Sequence, residues 1–116
     1  MTNLKKFFED EKETHRVEQE NWRLRYIQQH KDIQGVYLIR AENGITKIGK
    51  TTDINSRFAS MKSLSPLPLE LVGFIKTFDE DRLEKELHNK YSFKRSHGEW
   101  FHLDGDDISE ILRHAS

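Results

Sequence analysis

The sequence predicts an α+β fold: a small, three-stranded, mostly antiparallel sheet flanked by helices, with a charged helix in front of it. Three observations carry that expectation. Two β-rich runs, 35–40 and 45–49, are separated by a turn containing Asn43-Gly44, the strongest short hairpin signal. Apolar residues at helical spacing follow over 54–64 and again over 83–91, on either side of a third β-rich run at 69–78. Residues 3–30 contain neither Gly nor Pro and are rich in Glu, Lys, Gln and Arg, which are strong helix formers.

Composition narrows the class. At 116 residues the chain supports one small core, and with 34% apolar and 34% charged residues much of its helical surface must be solvated. Without cysteine it has neither a disulfide framework nor a thiolate metal site. No apolar run approaches the roughly 20 residues that span a bilayer, and the N-terminal MTNLKKFFEDEKE has no signal-peptide core. A cytoplasmic protein with no membrane partner is expected. The net charge of −1 hides a gradient: residues 35–103 carry 11 Lys+Arg against 9 Asp+Glu, whereas 104–116 carry 1 against 4. Charge therefore permits nucleic acid as a partner of the middle segment without requiring it.

Taken in order, residues 1–32 form the charged helix, with Leu4, Phe7 and Phe8 near its start and Trp22, Tyr26 and Ile27 near its end. It either docks through those two patches or pairs with a second copy to make a homodimer. Residues 33–116 form the domain proper. Gly35 to Arg40 and Ile45 to Gly49 make the hairpin; Thr52 or Asp53 caps the helix 54–64. Ser65-Pro66-Leu67-Pro68 closes it, and Leu69 to Phe78 is the third strand, with Gly73 weakening it or marking a bulge. Asp79 caps the next helix, whose buried stripe is Leu83, Leu87 and Tyr91. Phe93 to His97 reads as a basic loop and Trp100 to Leu103 as a short extended piece, with Trp100 and Phe101 as core plugs. Asp106 or Asp107 caps a short last helix carrying Ile108, Ile111 and Leu112. Asp104-Gly105-Asp106-Asp107 lacks the further ligands of a calcium loop, and the six histidines fall in no zinc spacing.

Two positions break the pattern. On a helical wheel Ile54, Phe58, Met61 and Leu64 form one stripe, and Arg57 falls inside it. A guanidinium aimed at a sheet costs several kcal/mol unless it snorkels to the rim, pairs with an acid or meets a ligand. Glu84 and His88, spaced i, i+4, lie along the margin of the Leu83–Leu87–Tyr91 stripe, where a carboxylate is a surface residue or a metal ligand.

Together, Gly35-Val36-Tyr37, Lys47-Ile48-Gly49 ten residues on, Lys50, Arg57 and Glu84 resemble the GIY-YIG nuclease superfamily over residues 33–103. The details K-I-G-K-T, E-x-x-L-H and G-E-W-F are most similar to its phage and fungal branch. The resemblance implies an endonuclease that cuts DNA with one Mg²⁺ or Mn²⁺ ion. By position it implies Tyr37 as the group that activates water, Arg57 on the phosphate and Glu84 on the ion. Lys50 matches a lysine that some members carry directly after the second motif. Lys47 stands where the second-motif tyrosine is expected, and Met61 where a Tyr or His would follow the arginine. The family's late asparagine has no match, Glu99 of G-E-W-F falling in that region.

The chemistry asks for an activated water and for charge stabilisation on the phosphoryl oxygens. An ordinary phenol is a weak base at neutral pH, and a neighbouring cation favours the phenolate. Lys47 or Lys50 would supply it; strand alternation lets only one of them face Tyr37 in a regular hairpin. Mg²⁺ suits a site with one carboxylate, Arg57 offers a planar clamp, and His88 is placed to donate a proton or hold a phosphate. Lys90, Lys94, Arg95 and His97 read as an edge that contacts phosphates, or as ordinary solvated surface. Two other functions stay open: a non-catalytic member of the same fold that binds nucleic acid or protein, and an unrelated α+β interaction domain.

Overall fold

Val36-Tyr37-Leu38-Ile39 is a run of four apolar residues without alternation, the pattern of a strand covered on both faces. All four are fully buried in β1, Gly35–Ala41, the strand on which the domain is assembled. A computed structural model of the protein describes residues 32–115. From β1 the chain turns through Ala41–Ile45 into β2 (Thr46–Thr51), α1 (Ile54–Leu64), β3 (Leu69–Lys76) and α2 (Glu80–Lys90). A 3-10 turn (Ser92–Lys94), β4 (Arg95–His97), β5 (Trp100–Phe101) and α3 (Gly105–Ala115) complete it. The helix expected over residues 3–30, the boundary at 32/33 and the pairing role of that helix lie outside the described residues.

Five strands, in the order β3-β1-β2-β5-β4 and all antiparallel to their neighbours, make the sheet among the described residues. The three-stranded expectation is corrected by the two added strands. Of the basic loop, Phe93 and Lys94 fall in the 3-10 turn and Arg95–His97 becomes β4, while the extended piece at Trp100 becomes β5, which pairs with Thr46 and Lys47 of β2. These strands are three and two residues long, and β4 is exposed throughout, so neither leaves an alternating apolar signature. Backbone pairing alone makes them strands.

β1 divides the core. Val36 and Leu38 point to the face where Ile48, Ile75 and Phe101 meet Leu87 of α2, Tyr91 at its C-cap, and Ile108 and Ile111 of α3. Tyr37 and Ile39 point to the other face, against Ile54, Phe58 and Met61 of α1. Truncating a fully buried residue such as Leu38 to Ala costs about 2–5 kcal/mol, a large part of a small domain's stability. Of the two readings of Gly73, the bulge is present: Leu38 pairs with Gly73 and Ile39 with Leu71, which leaves Val72 as the extra residue.

Caps set where the helices begin. Asp53, of the two candidates, caps α1, its carboxylate accepting from Ser56 N at 3.1 Å, while Thr51 Oγ1 accepts from Asp53 N at 3.0 Å. Asp79 stands at the N-cap of α2, but its side chain makes no cap hydrogen bond and pairs with Arg82 at 3.2 Å. The last helix is capped by Asp104, which accepts from Asp107 N at 2.8 Å, not by Asp106 or Asp107, because the helix starts earlier than expected. The apolar stripe of α1 is shorter than expected as well. Ile54 is buried and Phe58 and Met61 half-buried, but Leu64, in the last turn, is 81% exposed.

Candidate functional site

β2 is the strand from which the site is built. Its first half is paired on both sides, to β1 and to β5, but β5 reaches only Thr46 and Lys47. Beyond Lys47 the strand has an open edge. Antiparallel pairing turns the N–H and C=O of alternate residues to the same side, so Ile48 and Lys50 both present theirs to that edge. Ile48 N donates to Glu99 O at 3.0 Å, and Ile48 O accepts from His88 Nε2 at 2.8 Å. Lys50 O, about 7 Å further along, accepts from Arg57 Nη1 at 3.4 Å. Groups from both faces of the sheet therefore meet around one short stretch of backbone.

On the α1 face, Tyr37 has no exposed surface. Its ring lies over its cross-strand partner Gly49, where an added Cβ would stand 2.3 Å from both Cζ and the hydroxyl. Only a residue without a side chain leaves room for that phenol. Gly35 has a separate steric reason, since a Cβ there would meet Ile75 O of β3 at 1.9 Å. Arg57 Nη1 donates to the Tyr37 hydroxyl at 3.4 Å as well as to Lys50 O. As a whole Arg57 is exposed; of the alternatives open for it, it snorkels to the rim of the α1 face, and its tip folds back over the phenol. The Asp53 cap places it there, one turn into α1, with Arg57 N bonded to Asp53 O at 3.0 Å.

Strand register settles which lysine faces the tyrosine. Lys47 pairs with Ile39 and Gly49 with Tyr37, so both lie on the α1 face, and Lys47 Nζ is 5.9 Å from the Tyr37 ring centroid. Lys50 pairs with Val36 and points to the α2 face, where its ammonium meets Asp81. That hydrogen bond, with Glu84 and Glu80 adding to it, holds the Lys50 amine above the usual lysine range.

On the α2 face, Glu84, His88 and Glu99 each bring a donor atom to within 4.8 Å of the others. Burial first, and then the charge of Glu99, push the Glu84 carboxyl up; His88 and Lys50 pull the other way and do not offset them. Lys47 Nζ lies 3.6 Å from Glu99 and joins this acid cluster to the tyrosine face. Glu99 is the residue that the sequence argument left without a role, although G-E-W-F had marked it. It lies far from Glu84 along the chain and joins the cluster only because β4 and β5 form.

The expected basic edge is divided. Lys90 Nζ lies 3.7 Å from Glu110, and Lys94 is hydrogen-bonded to Asp107, which raises its amine above the usual range. Both are balanced by acids of α3. Arg95 stacks over Phe101 at 4.9 Å and His97 bonds Ser96, both in exposed positions of β4. Met61 packs with Phe58 against the Tyr37 core and adds no polar group.

Among the described residues no helix is long and apolar enough to cross a membrane. No curated protein and no solved structure gives a significant match. The family model that matches is that of the T5orf172 domain, over residues 25–116. This overturns the assignment to the GIY-YIG superfamily. That resemblance rested on short motifs over 33–103, two of whose glycines have the local packing reasons given above, whereas the matching model runs on through α3. The chain belongs to the T5orf172 domain family.

Proposed function

We propose that this protein is an endonuclease that hydrolyses phosphodiester bonds of DNA at the open edge of β2, with one divalent cation, Mg²⁺ or Mn²⁺, held at Glu84. One observation carries the reading. Arg57 reaches the Tyr37 hydroxyl and Lys50 O, while His88 reaches Ile48 O on the same edge, so a phenol, a guanidinium and a carboxylate cluster share one strip of backbone. The family is compatible with a nucleic-acid-related role.

The residues divide the work as follows. Arg57 is held by two long hydrogen bonds of 3.4 Å, which are weak, so its guanidinium moves to a phosphate at little cost. That movement uncovers the phenol. Tyr37, acting as the phenolate that the neighbouring Lys47 ammonium favours, then takes the proton of the attacking water and becomes the neutral phenol while the hydroxide attacks phosphorus. Glu84 would hold the cation, which would supply neutralisation of negative charge on the phosphoryl group. Exposed Arg95 on β4 extends the positive surface for the neighbouring phosphates, with His97 beside it as a further hydrogen-bonding group.

A second reading, a non-catalytic domain that binds nucleic acid or protein, is favoured by the complete burial of Tyr37. Supercoiled plasmid incubated with the protein and Mg²⁺ or Mn²⁺ separates the two. Nicked circles are expected from the native chain and not from Arg57→Ala or Glu84→Ala, both of which should melt as cooperatively as the native chain. Plasmid that stays supercoiled at every cation concentration removes the catalytic reading, and salt-dependent binding of the same plasmid then supports the second.

A further inference from the structure

Glu84, His88 and Glu99 contribute two carboxylates and one imidazole to a single cluster, each donor atom within 4.8 Å of the rest. Their supports are unusual in being common. The two backbone groups of Ile48 hold two of the three: its N–H donates to the Glu99 carbonyl at 3.0 Å, and its carbonyl accepts from His88 at 2.8 Å. The third, Glu84, stands one helical turn before His88 on α2. A carbonyl oxygen can only accept, so the His88 proton lies on Nε2 and the lone pair of the neutral ring is on Nδ1. Metal-bound imidazoles are oriented in this way, one nitrogen tied to a backbone carbonyl and the other left for the ion. The ring is held in addition against Phe101, centroid to centroid 5.1 Å.

We propose that these three residues form an O,N,O centre that takes a first-row transition dication of the Mn²⁺ to Zn²⁺ series in preference to Mg²⁺. The inference rests on the reading of Glu84 as the cation's ligand and adds His88 and Glu99 to it. Mg²⁺ favours oxygen donors and retains most of its water, whereas an imidazole nitrogen favours the later ions. Lys47 is the competitor. Its ammonium sits 3.6 Å from Glu99, so an ion and Lys47 bid for the same carboxylate. Loading the centre weakens the Lys47–Glu99 pair and leaves the Lys47 charge to the phenol, over whose ring it already lies.

The test is metal binding by the intact chain, read without substrate. Calorimetric titration with Mn²⁺ and with Mg²⁺ at one ionic strength should show Mn²⁺ binding tighter by about tenfold or more. Pulsed EPR of the Mn²⁺ complex should show coupling to one nitrogen, absent in His88→Gln, a change that keeps a donor for Ile48 O. Glu99→Gln should weaken Mn²⁺ by roughly tenfold, and Lys47→Met should strengthen it. Equal affinities for the two ions, or no nitrogen coupling in the native chain, overturns the proposal. If Mg²⁺-dependent cleavage persists in that case, the single-carboxylate reading survives; if the native chain binds neither ion, both fall. The EPR measurement on the native chain needs no variant, so a misfolded mutant cannot decide the matter.

Discussion

Helix α2 lies between two clusters made of the same materials, lysines and carboxylates with one aromatic hydroxyl or imidazole, and the two behave in opposite ways. Where the C-terminal end of α2 faces α3, lysines and carboxylates are paired. The Tyr91 hydroxyl donates to Glu110, Lys90 lies 3.7 Å from the same carboxylate, and Lys94 pairs with Asp107. Glu110 is held below the usual carboxylate range, by the Tyr91 hydroxyl first and Lys90 second. Burial alone would raise Asp107, but the Lys94 hydrogen bond and the Asp104 backbone outweigh it and the net shift is downward. At the open edge of β2 the acids face each other instead. Lys50 goes to Asp81 and Lys47 to Glu99, and Glu84 is left with its carboxyl pushed up by burial and by Glu99. One cluster supports the fold. The other holds a carboxyl whose ionisation burial and Glu99 disfavour, and under the proposed function that carboxyl is left for the cation.

The comparison breaks if Glu84→Gln and Asp107→Asn act alike. Glu84→Gln should lower cleavage by at least about a thousandfold and yet raise the melting temperature at pH 7, by about 2 °C. The sign follows from the shift. A carboxyl raised in the folded state binds its proton more tightly there than in the unfolded chain. Its ionisation therefore weakens the fold as pH rises through the folded value, and the gain from Gln should fade as pH falls back through that range. Asp107→Asn should do the reverse, leaving cleavage per folded molecule unchanged while lowering the melting temperature by about 3 °C. Asp107 and Glu110 are depressed in the folded state, so the stability they contribute is present above the unfolded carboxylate range. It is lost as pH falls through the folded values, and acid unfolding should begin at α3. Melting curves at pH 3–7 for the two variants and the native chain, with plasmid cleavage alongside, check both halves.

A smaller but more local effect separates glycine as a spacer from glycine as a bystander. In Gly49→Ala the new methyl would stand 2.3 Å from the Tyr37 hydroxyl and ring, with no surface toward which Tyr37 can retreat. Overpacking of this kind costs about 1–3 kcal/mol, and the displaced phenol should take cleavage down by roughly a hundredfold. Gly105→Ala, with nothing within 4 Å, should leave both activity and melting temperature as they are. Equal behaviour of the two would mean that the phenol does not need its place over β2.

Much of this was legible along the chain, and the boundary of what was legible is physical. Asn43-Gly44 and the β-rich runs on either side of it announce a hairpin, and they are local signals, whereas the covering of β1 on both faces is seen only in the fold. Arg57 was conspicuous because a charge inside an apolar stripe violates helical periodicity, although its side chain lies at the surface and only its tip turns inward. Glu84 and His88 shared a margin for the same helical reason. What local pattern could not hold is the pairing of β5 with β2, two residues against two, which depends on backbone hydrogen bonds and brings in Glu99 from a distant turn. Nor could it decide between Lys47 and Lys50, since a shift of one residue in register exchanges their faces. The family resemblance failed at the same point, because short motifs around two sterically required glycines are weaker identifiers than a match that runs from residue 25 to 116.

The basic residues give the last and smallest separation. Lys90, Lys94, Arg95 and His97 are close in sequence and read alike, yet two of them are balanced by Glu110 and Asp107 and two face solvent on β4. Phosphate attraction depends on the charge left over after such pairing, and each phosphate contact contributes about one unit to the dependence of log affinity on log salt. Arg95→Ala should therefore weaken binding to a short duplex a few-fold and reduce the salt slope by about one, with the melting temperature nearly unchanged. Lys90→Ala should keep affinity within about twofold and lower the melting temperature slightly, through the loss of Glu110's partner. Fluorescence anisotropy across a salt series distinguishes them. A slope reduced equally by both variants would place the α3 junction inside the DNA interface, and the two clusters would then no longer differ in kind.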